Sequence, residues 1–260
     1  MKIAVVGCGV MGSAFARFLS KKHDIILVSK TKEKADELCK EIDAEVMELS
    51  KAADAADLII LGFKPKDLQL VAAQLSSALA PGKIIMSLLA GTDISTLHKS
   101  FPKAQIVRIM PNLALTVGKG IIGVADLSDL VLKKQIAGIL EGMGLLYFLP
   151  ESKMDAFTAL CGSSPAFVFV ILEALMEGGV AMGFTFQDAR ELVLQVFEGS
   201  VELMKETQKH PAELKMLISS PGGTTIAGLK EMEAQSVRSG LIQTLFACYA
   251  KSQEMSRAKT

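Results

Sequence analysis

The sequence predicts an α/β fold in two parts: a doubly wound, mainly parallel sheet over residues 1–150, then an all-helical part over residues 155–260. Three observations predict it. Through the first 150 residues, short apolar runs alternate with helical patterns. A Gly-x-Gly-x-x-Gly, formed by Gly7, Gly9 and Gly12, joins the first strand to the first helix. After Pro150 the alternation stops and only helical periodicity remains. The chain has 260 residues, of which 50% are apolar, enough for one large or two ordinary domains.

The elements follow in order. Residues 2–6 are the first strand, and the glycines lead into a helix near 11–22. In this setting Gly7 permits a tight turn and Gly9 lets a pyrophosphate approach the backbone. Gly12 lets the helix pack close on the strand, and the helix start (Val10, Met11, Gly12) offers free N–H groups to phosphate. That is a Rossmann-type dinucleotide turn. The second strand, 24–28, ends in Ser29-Lys30-Thr31-Lys32 and a helix near 31–42. An NAD site usually places a carboxylate there for the ribose 2′-hydroxyl. A small hydroxyl followed by lysines attracts a 2′-phosphate instead, so Ser29, Lys30 and Lys32 favour NADP(H), with NAD(H) bound more weakly. Further strands are expected at 57–61, 83–87, 105–109, 121–124 and 145–148, with helices near 66–79, 92–99 and 128–142. The later connections are short, which allows antiparallel strands there.

In the helical part, Ser164-Pro165 reads as an N-cap followed by proline at the first helical position. Thr185-Phe186-Gln187-Asp188 resembles a capping box that starts a helix toward Gln208. His210-Pro211 starts a short helix. A last helical stretch covers about 225–256, after the loop Ser219–Thr225. The stretch Pro165–Phe184 is apolar enough to resemble a membrane span. It carries Glu173 and Glu177 one turn apart, and carboxylates are costly in lipid. It is read as a helix buried in a core or a subunit interface, so a homodimer or larger homo-oligomer is expected.

Lys+Arg and Asp+Glu both number 28, so the net charge is zero and gives no support for a nucleic acid or an anionic membrane as partner. The four cysteines, Cys8, Cys39, Cys161 and Cys248, are far apart and fit no metal spacing. Free thiols and the lack of a leader pattern before residue 2 make a cytoplasmic protein the expectation.

Ligands of such sheets lie beyond the carboxyl ends of the strands. Four loops reach that edge: Gly7–Gly12, Gly62-Phe63-Lys64-Pro65, Leu88-Leu89-Ala90-Gly91 and Met110-Pro111-Asn112. Lys64 either faces phosphates or starts a helix. Asn112 either donates to a nicotinamide amide or fixes the Pro111 turn. The loop Ser219–Thr225 has two adjacent glycines before a Thr-Thr helix start, which suits a carboxylate without adding charge. The three histidines look exposed, and none is expected to be catalytic.

With these motifs in hand, the chain resembles the pyrroline-5-carboxylate reductase family over nearly its whole length. The resemblance rests on Gly7-Cys8-Gly9-Val10-Met11-Gly12, Lys64-Pro65, Ala90-Gly91, Met110-Pro111-Asn112 and Gly162-Ser163-Ser164-Pro165-Ala166-Phe167. Above all it rests on Ser220-Pro221-Gly222-Gly223-Thr224-Thr225. It implies NADPH-dependent reduction of 1-pyrroline-5-carboxylate to L-proline, and interleaved helical dimerisation domains with shared active sites. It also implies that the loop Ser220, Gly222, Gly223, Thr224 and Thr225 holds the substrate, the Thr225 hydroxyl reaching the ring nitrogen. Gly7, Gly9, Val10, Met11, Gly12, Ser29, Lys30, Lys32, Lys64, Pro65, Ala90 and Asn112 are the expected cofactor residues. The family usually has Gly at Ser164, Tyr at Phe167, Asp at Glu177 and a small aliphatic pair at Gly62-Phe63. Two rival readings are a β-hydroxyacid dehydrogenase or related imine reductase, and a non-catalytic NADP(H) sensor. The first needs a lysine on the long apolar helix, and Ala166–Met182 has none. The polar Pro-Gly-Gly-Thr-Thr loop counts against the second.

Overall fold

The computed structural model describes residues 1–76 and 78–257. The chain divides into two compact units: Met1–Ser163 with the chain from Cys248 onward, and Ser164–Ala247.

The first unit is a βα array. Its elements are β1 (Lys2–Val6), α1 (Val10–Leu19), β2 (Asp24–Val28), α2 (Lys32–Cys39), β3 (Ala44–Val46), α3 (Leu49–Ala55), β4 (Leu58–Leu61), α4 (Leu68–Leu75), β5 (Ile84–Ser87), α5 (Ile94–Ser100), β6 (Gln105–Pro111), β7 (Gly120–Ala125), α6 (Leu130–Leu140) and β8 (Gly144–Leu149). Eight strands form one sheet in the order β3-β2-β1-β4-β5-β6-β7-β8. Every pairing is parallel except β6 with β7. The central strands β1, β4 and β5 are almost wholly apolar and buried, as strands covered on both faces are. Ile3 and Val5 pack with Phe15, Leu27, Ile60 and Ile136 on one face. Their neighbours Ala4 and Val6 pack with Ile59, Leu61, Leu68 and Phe101 on the other. Each such large side chain contributes roughly 1.5–3 kcal/mol when fully buried. Val6 aligns with both Val28 and Leu61, so β1, β2 and β4 end level and their loops converge. That alignment builds the cleft described below.

Two elements here were not expected. The strand β3 has only three residues, with a glutamate at its centre, and α3 follows it. Neither shows an apolar run long enough to read.

The helices after β8 are α7 (Met154–Phe157), a π-helical turn at Thr158–Ser163, α8 (Ser164–Ala181), α9 (Phe186–Thr207), α10 (Pro211–Leu217), α11 (Thr224–Ala234) and α12 (Val237–Arg257). Thr185 caps α9 as expected, its Oγ1 accepting from the Asp188 N–H at 3.1 Å. His210 and Glu213 form a capping box around Pro211 at the start of α10. Two expectations are corrected. α8 begins at Ser164, but Ser164 is not an N-cap: helical backbone runs into it from Glu151 through the π turn Thr158–Ser163. The stretch 225–256 is two helices, broken where Ser236 takes φ of 55°. Within the second unit α8 packs against α9.

Candidate active site

The glycine turn after β1 has the geometry its sequence implies. Gly7 has φ of +105°, and a Cβ there would lie 2.9 Å from the Gly62 carbonyl carbon. A Cβ on Gly12 would collide with the Gly7 carbonyl oxygen. The two backbones therefore touch, and only glycine fits. Gly9 is the N-cap of α1, and no side chain caps that helix. The first intrahelical bond runs from Ser13 N–H to Gly9 O at 2.8 Å, so the N–H groups of Val10, Met11 and Gly12 precede the ladder. This cradle, with its uncapped helix start, fits a dinucleotide pyrophosphate.

A cleft of about 1370 Å³ opens at this edge, all of it within the first unit. Of the expected cofactor residues, Gly7, Gly9, Val10, Met11, Ser29, Lys30, Lys32 and Lys64 line it. Gly12 lies beneath, where α1 meets β1. Pro65, Ala90 and Asn112 do not line it. Pro65 begins a 3₁₀ turn, Pro65–Asp67, whose last residue does. Ala90 packs on the cluster of Met110, Leu149, Met154 and Phe157. Asn112 is engaged at both ends of its amide: Oδ1 accepts from Ile121 N–H at 3.2 Å, and Nδ2 donates to Cys161 O at 3.2 Å.

The rim beyond β2 is cationic. Lys30, Lys32, Lys34 and Lys64 face it, against the carboxylates of Glu48 and Asp67. Lys30 Nζ lies 3.2 Å from Asp67 Oδ1, with the lysine side chain 67% exposed. Such an exposed pair is worth only about 0–1 kcal/mol and yields readily to a phosphate. The Ser29 hydroxyl accepts from Thr31 N–H at 3.2 Å, which shapes the turn after β2. Burial pushes the Cys8 thiol up, opposed by a hydrogen bond with Ser29. Cys8 lines the cleft, and burial disfavours its thiolate. Sequence reasoning missed Lys34, although the charge run Lys30-Thr31-Lys32-Glu33-Lys34 contained the signal. It also missed Val46, Met47 and Glu48, which reach the cleft only through β3.

The loop before α11 lies in the second unit. Gly222 has φ of +72°, a left-handed value that a side chain would strain. A Cβ on Gly223 would collide with the Ser220 hydroxyl. Gly223 N–H donates to Ser220 O at 3.1 Å, closing the turn. Gly223 is the N-cap of α11 and carries no side-chain cap. Thr224 is exposed and Thr225 half-buried. The result is an uncharged helix start with hydroxyls beside it and no carboxylate in the loop, which suits a small anion.

Comparison with known proteins agrees with both halves. Residues 151–255 match the family described as pyrroline-5-carboxylate reductase dimerisation. Residues 2–91 match the family described as NADP oxidoreductase, coenzyme F420-dependent. The pyrroline-5-carboxylate reductase of Synechocystis is 36% identical over 266 residues, covering 99% of both chains. That of Aquifex aeolicus is 36% identical, covering 98% of this chain and 97% of its own. Among solved structures, the Plasmodium falciparum pyrroline carboxylate reductase with NADP bound superimposes with a TM-score of 0.90 at 28% identity, covering 98% of each chain. The Streptococcus pyogenes 1-pyrroline-5-carboxylate reductase gives the same figures, 0.90 and 28% over 98% of each.

Proposed function

This chain belongs to the pyrroline-5-carboxylate reductase family, and on that premise we infer that it reduces 1-pyrroline-5-carboxylate to L-proline with NADPH, the last step of proline biosynthesis. One observation carries the substrate side: the open, uncharged start of α11 after Ser220-Pro221-Gly222-Gly223.

When bound, NADPH supplies the hydride that reaches the C=N carbon. The chain binds, orients and excludes water. The α1 start holds the pyrophosphate, while Ser29, Lys30, Lys32 and Lys34 hold the 2′-phosphate. NADH, lacking that phosphate, binds more weakly. Lys64 completes the cofactor edge, and Pro65 and Ala90 shape the loops behind it. The N–H groups of Thr224 and Thr225 at the α11 start receive the substrate carboxylate, with Ser220, Gly222 and Gly223 shaping the loop. The Thr225 hydroxyl orients the ring nitrogen. An imine can be protonated in water before hydride arrives, so no side-chain acid is needed, and Thr225 positions rather than protonates.

The division into a cofactor domain at 1–150 and a substrate and dimerisation domain at 155–260 is part of this reading. So is a cytoplasmic enzyme with no nucleic acid or membrane partner. The zero net charge supports the first absence. For the second, the helix Glu151–Ala181 is long and apolar enough to cross a membrane, yet the dimerisation match covers it. The test is NADPH oxidation by the purified chain with and without 1-pyrroline-5-carboxylate. Substrate-dependent loss of reduced nicotinamide absorbance is expected. Tight NADPH binding without turnover would favour a sensor instead.

A further inference from the structure

We propose that Asn112 is a positioning residue: its side-chain N–H replaces the one Pro165 lacks, and so holds the π turn Thr158–Ser163 at the carboxyl edge of the sheet. The argument starts from proline chemistry. In α register the Cys161 carbonyl would accept from the N–H of residue 165, four positions on; Cys161 itself lies in the π turn Thr158–Ser163, whose five-residue register passes over residue 165. Residue 165 is proline, with no N–H and a ring that crowds that carbonyl. Proline inside a helix is strongly destabilising unless the freed carbonyl is accommodated. Here the helix widens into a π turn just before the proline, and Asn112 Nδ2 donates to Cys161 O at 3.2 Å.

Asn112 is specified on every side. Its backbone N–H donates to Ile121 O at 3.2 Å, and its Oδ1 accepts from Ile121 N–H at 3.2 Å. Its own carbonyl accepts from Leu115 N–H at 3.3 Å. The side-chain oxygen thus stands in for a strand carbonyl and the side-chain nitrogen for a helix N–H. The amide orientation is fixed, since one partner is only a donor and the other only an acceptor. Aspartate has the same shape but no donor.

The turn is anchored around this bond. Thr158 Oγ1 donates to Met154 O at 2.8 Å, and Gly162 faces the Met110 side chain, which begins within 3.9 Å of where a Cβ would sit. β6 runs parallel to β5, so Met110-Pro111-Asn112 lies at the carboxyl edge, where ligands of such sheets bind. The residues lining the nucleotide cleft, Val6 to Leu88, do not include Asn112. Asn112 stands outside that cleft, so the expected effect of disturbing the π turn falls on turnover and not on NADPH binding.

The activity readout rests on the reductase reading; the rescue and binding readouts do not. The experiment compares Asn112→Asp, Asn112→Ala, Pro165→Ala and Asn112→Ala/Pro165→Ala for kcat, NADPH dissociation constant and melting temperature. Losing this partly buried hydrogen bond should lower kcat of the two Asn112 single variants by about 5- to 50-fold, with NADPH affinity within about twofold of wild type. Pro165→Ala restores a backbone N–H for the carbonyl, so the double variant should recover most of the loss in both kcat and melting temperature. If Asn112→Ala does not fold, recovery of soluble protein in the double variant is the supporting result. A double variant no better than Asn112→Ala overturns the proposal. So does parallel loss of NADPH affinity, which would make Asn112 a cofactor ligand. A wild-type chain without reductase activity counts against the function and leaves the rescue test standing.

Discussion

Thr225 stands second in α11, half-buried, while Thr224 beside it is exposed. That difference separates their expected roles. If the Thr225 hydroxyl orients the imine nitrogen, Thr225→Ala loses about 1–3 kcal/mol of transition-state stabilisation, roughly 5- to 150-fold in kcat/KM, with NADPH affinity unchanged. Thr225→Ser keeps the hydroxyl and most of the activity. Thr224→Ala should cost less. Steady-state kinetics and thermal melts on the three variants decide it: a lower melting temperature with normal kcat/KM would make the loop a mere connector. Ser29 offers a second test at the other ligand. Its hydroxyl already shapes the turn through Thr31 N–H, and the neighbouring lysines supply the charge. A carboxylate there would repel a 2′-phosphate and accept from a 2′-hydroxyl. Ser29→Asp should shift the NADPH-to-NADH affinity ratio by at least about tenfold toward NADH, since a bond to a charged group is worth about 1.5–3 kcal/mol. Fluorescence titration of both cofactors measures it, and equal affinities in the wild type would refute the assignment of the rim.

At the scale of elements, the β1–α1 unit depends on a contact between backbones. A methyl on Gly12 meets the Gly7 carbonyl oxygen, which no rotamer change relieves. Gly12→Ala should therefore push α1 away from β1, destabilise the chain by about 1–3 kcal/mol and weaken NADPH at least about tenfold. Gly138 in α6 is the control, with open space where its Cβ would point; Gly138→Ala should be neutral or stabilise by up to about 1 kcal/mol. Melting curves and NADPH titrations on the pair check both; a Gly12→Ala chain that behaves like Gly138→Ala would show the contact to be soft. The same scale explains what could be read in advance. β1, β2, β4 and β5 were legible because burial on both faces makes them unbroken apolar runs. β3 is Ala-Glu-Val, and its place is set by pairing with β2, which no local pattern encodes. The glycine turn, Ser29 and its lysines were legible because each acts through its own few residues. Met47 was not, because it reaches the cleft through tertiary placement. Ser164-Pro165 was misread for the same reason: its local grammar is that of a helix start, and the group that lets the helix pass through it is Asn112, far upstream. The break at Ser236 carries neither glycine nor proline to announce it.

At the scale of the whole molecule, the second unit leaves large apolar helix faces exposed. Among described residues, α8 buries only Gly179 and α9 only Ala189, while α10 and α11 bury none. Phe169 is 61% exposed, Val170 62%, Phe186 60% and Phe246 60%. A helix of 18 residues, ~27 Å long, that is apolar around most of its girth must be covered. The dimerisation match over 151–255 says by what: a second copy of the chain. Exposed apolar surface on this scale would otherwise make the protein associate non-specifically. Wild-type protein should sediment as a dimer or larger assembly at micromolar concentration. Phe169→Glu places a charge in the surface to be covered, where an unpaired buried carboxylate costs several kcal/mol. It should shift the protein to monomer or to insoluble aggregate and abolish proline formation. The nucleotide cleft lies wholly within residues 6–88 of the other unit. Whatever soluble monomer remains should therefore still bind NADPH near wild-type affinity. Sedimentation velocity run beside an NADPH titration reads both consequences from one preparation. A wild-type chain that sediments strictly as a monomer while fully active would leave these faces without a function and sink the dimer account.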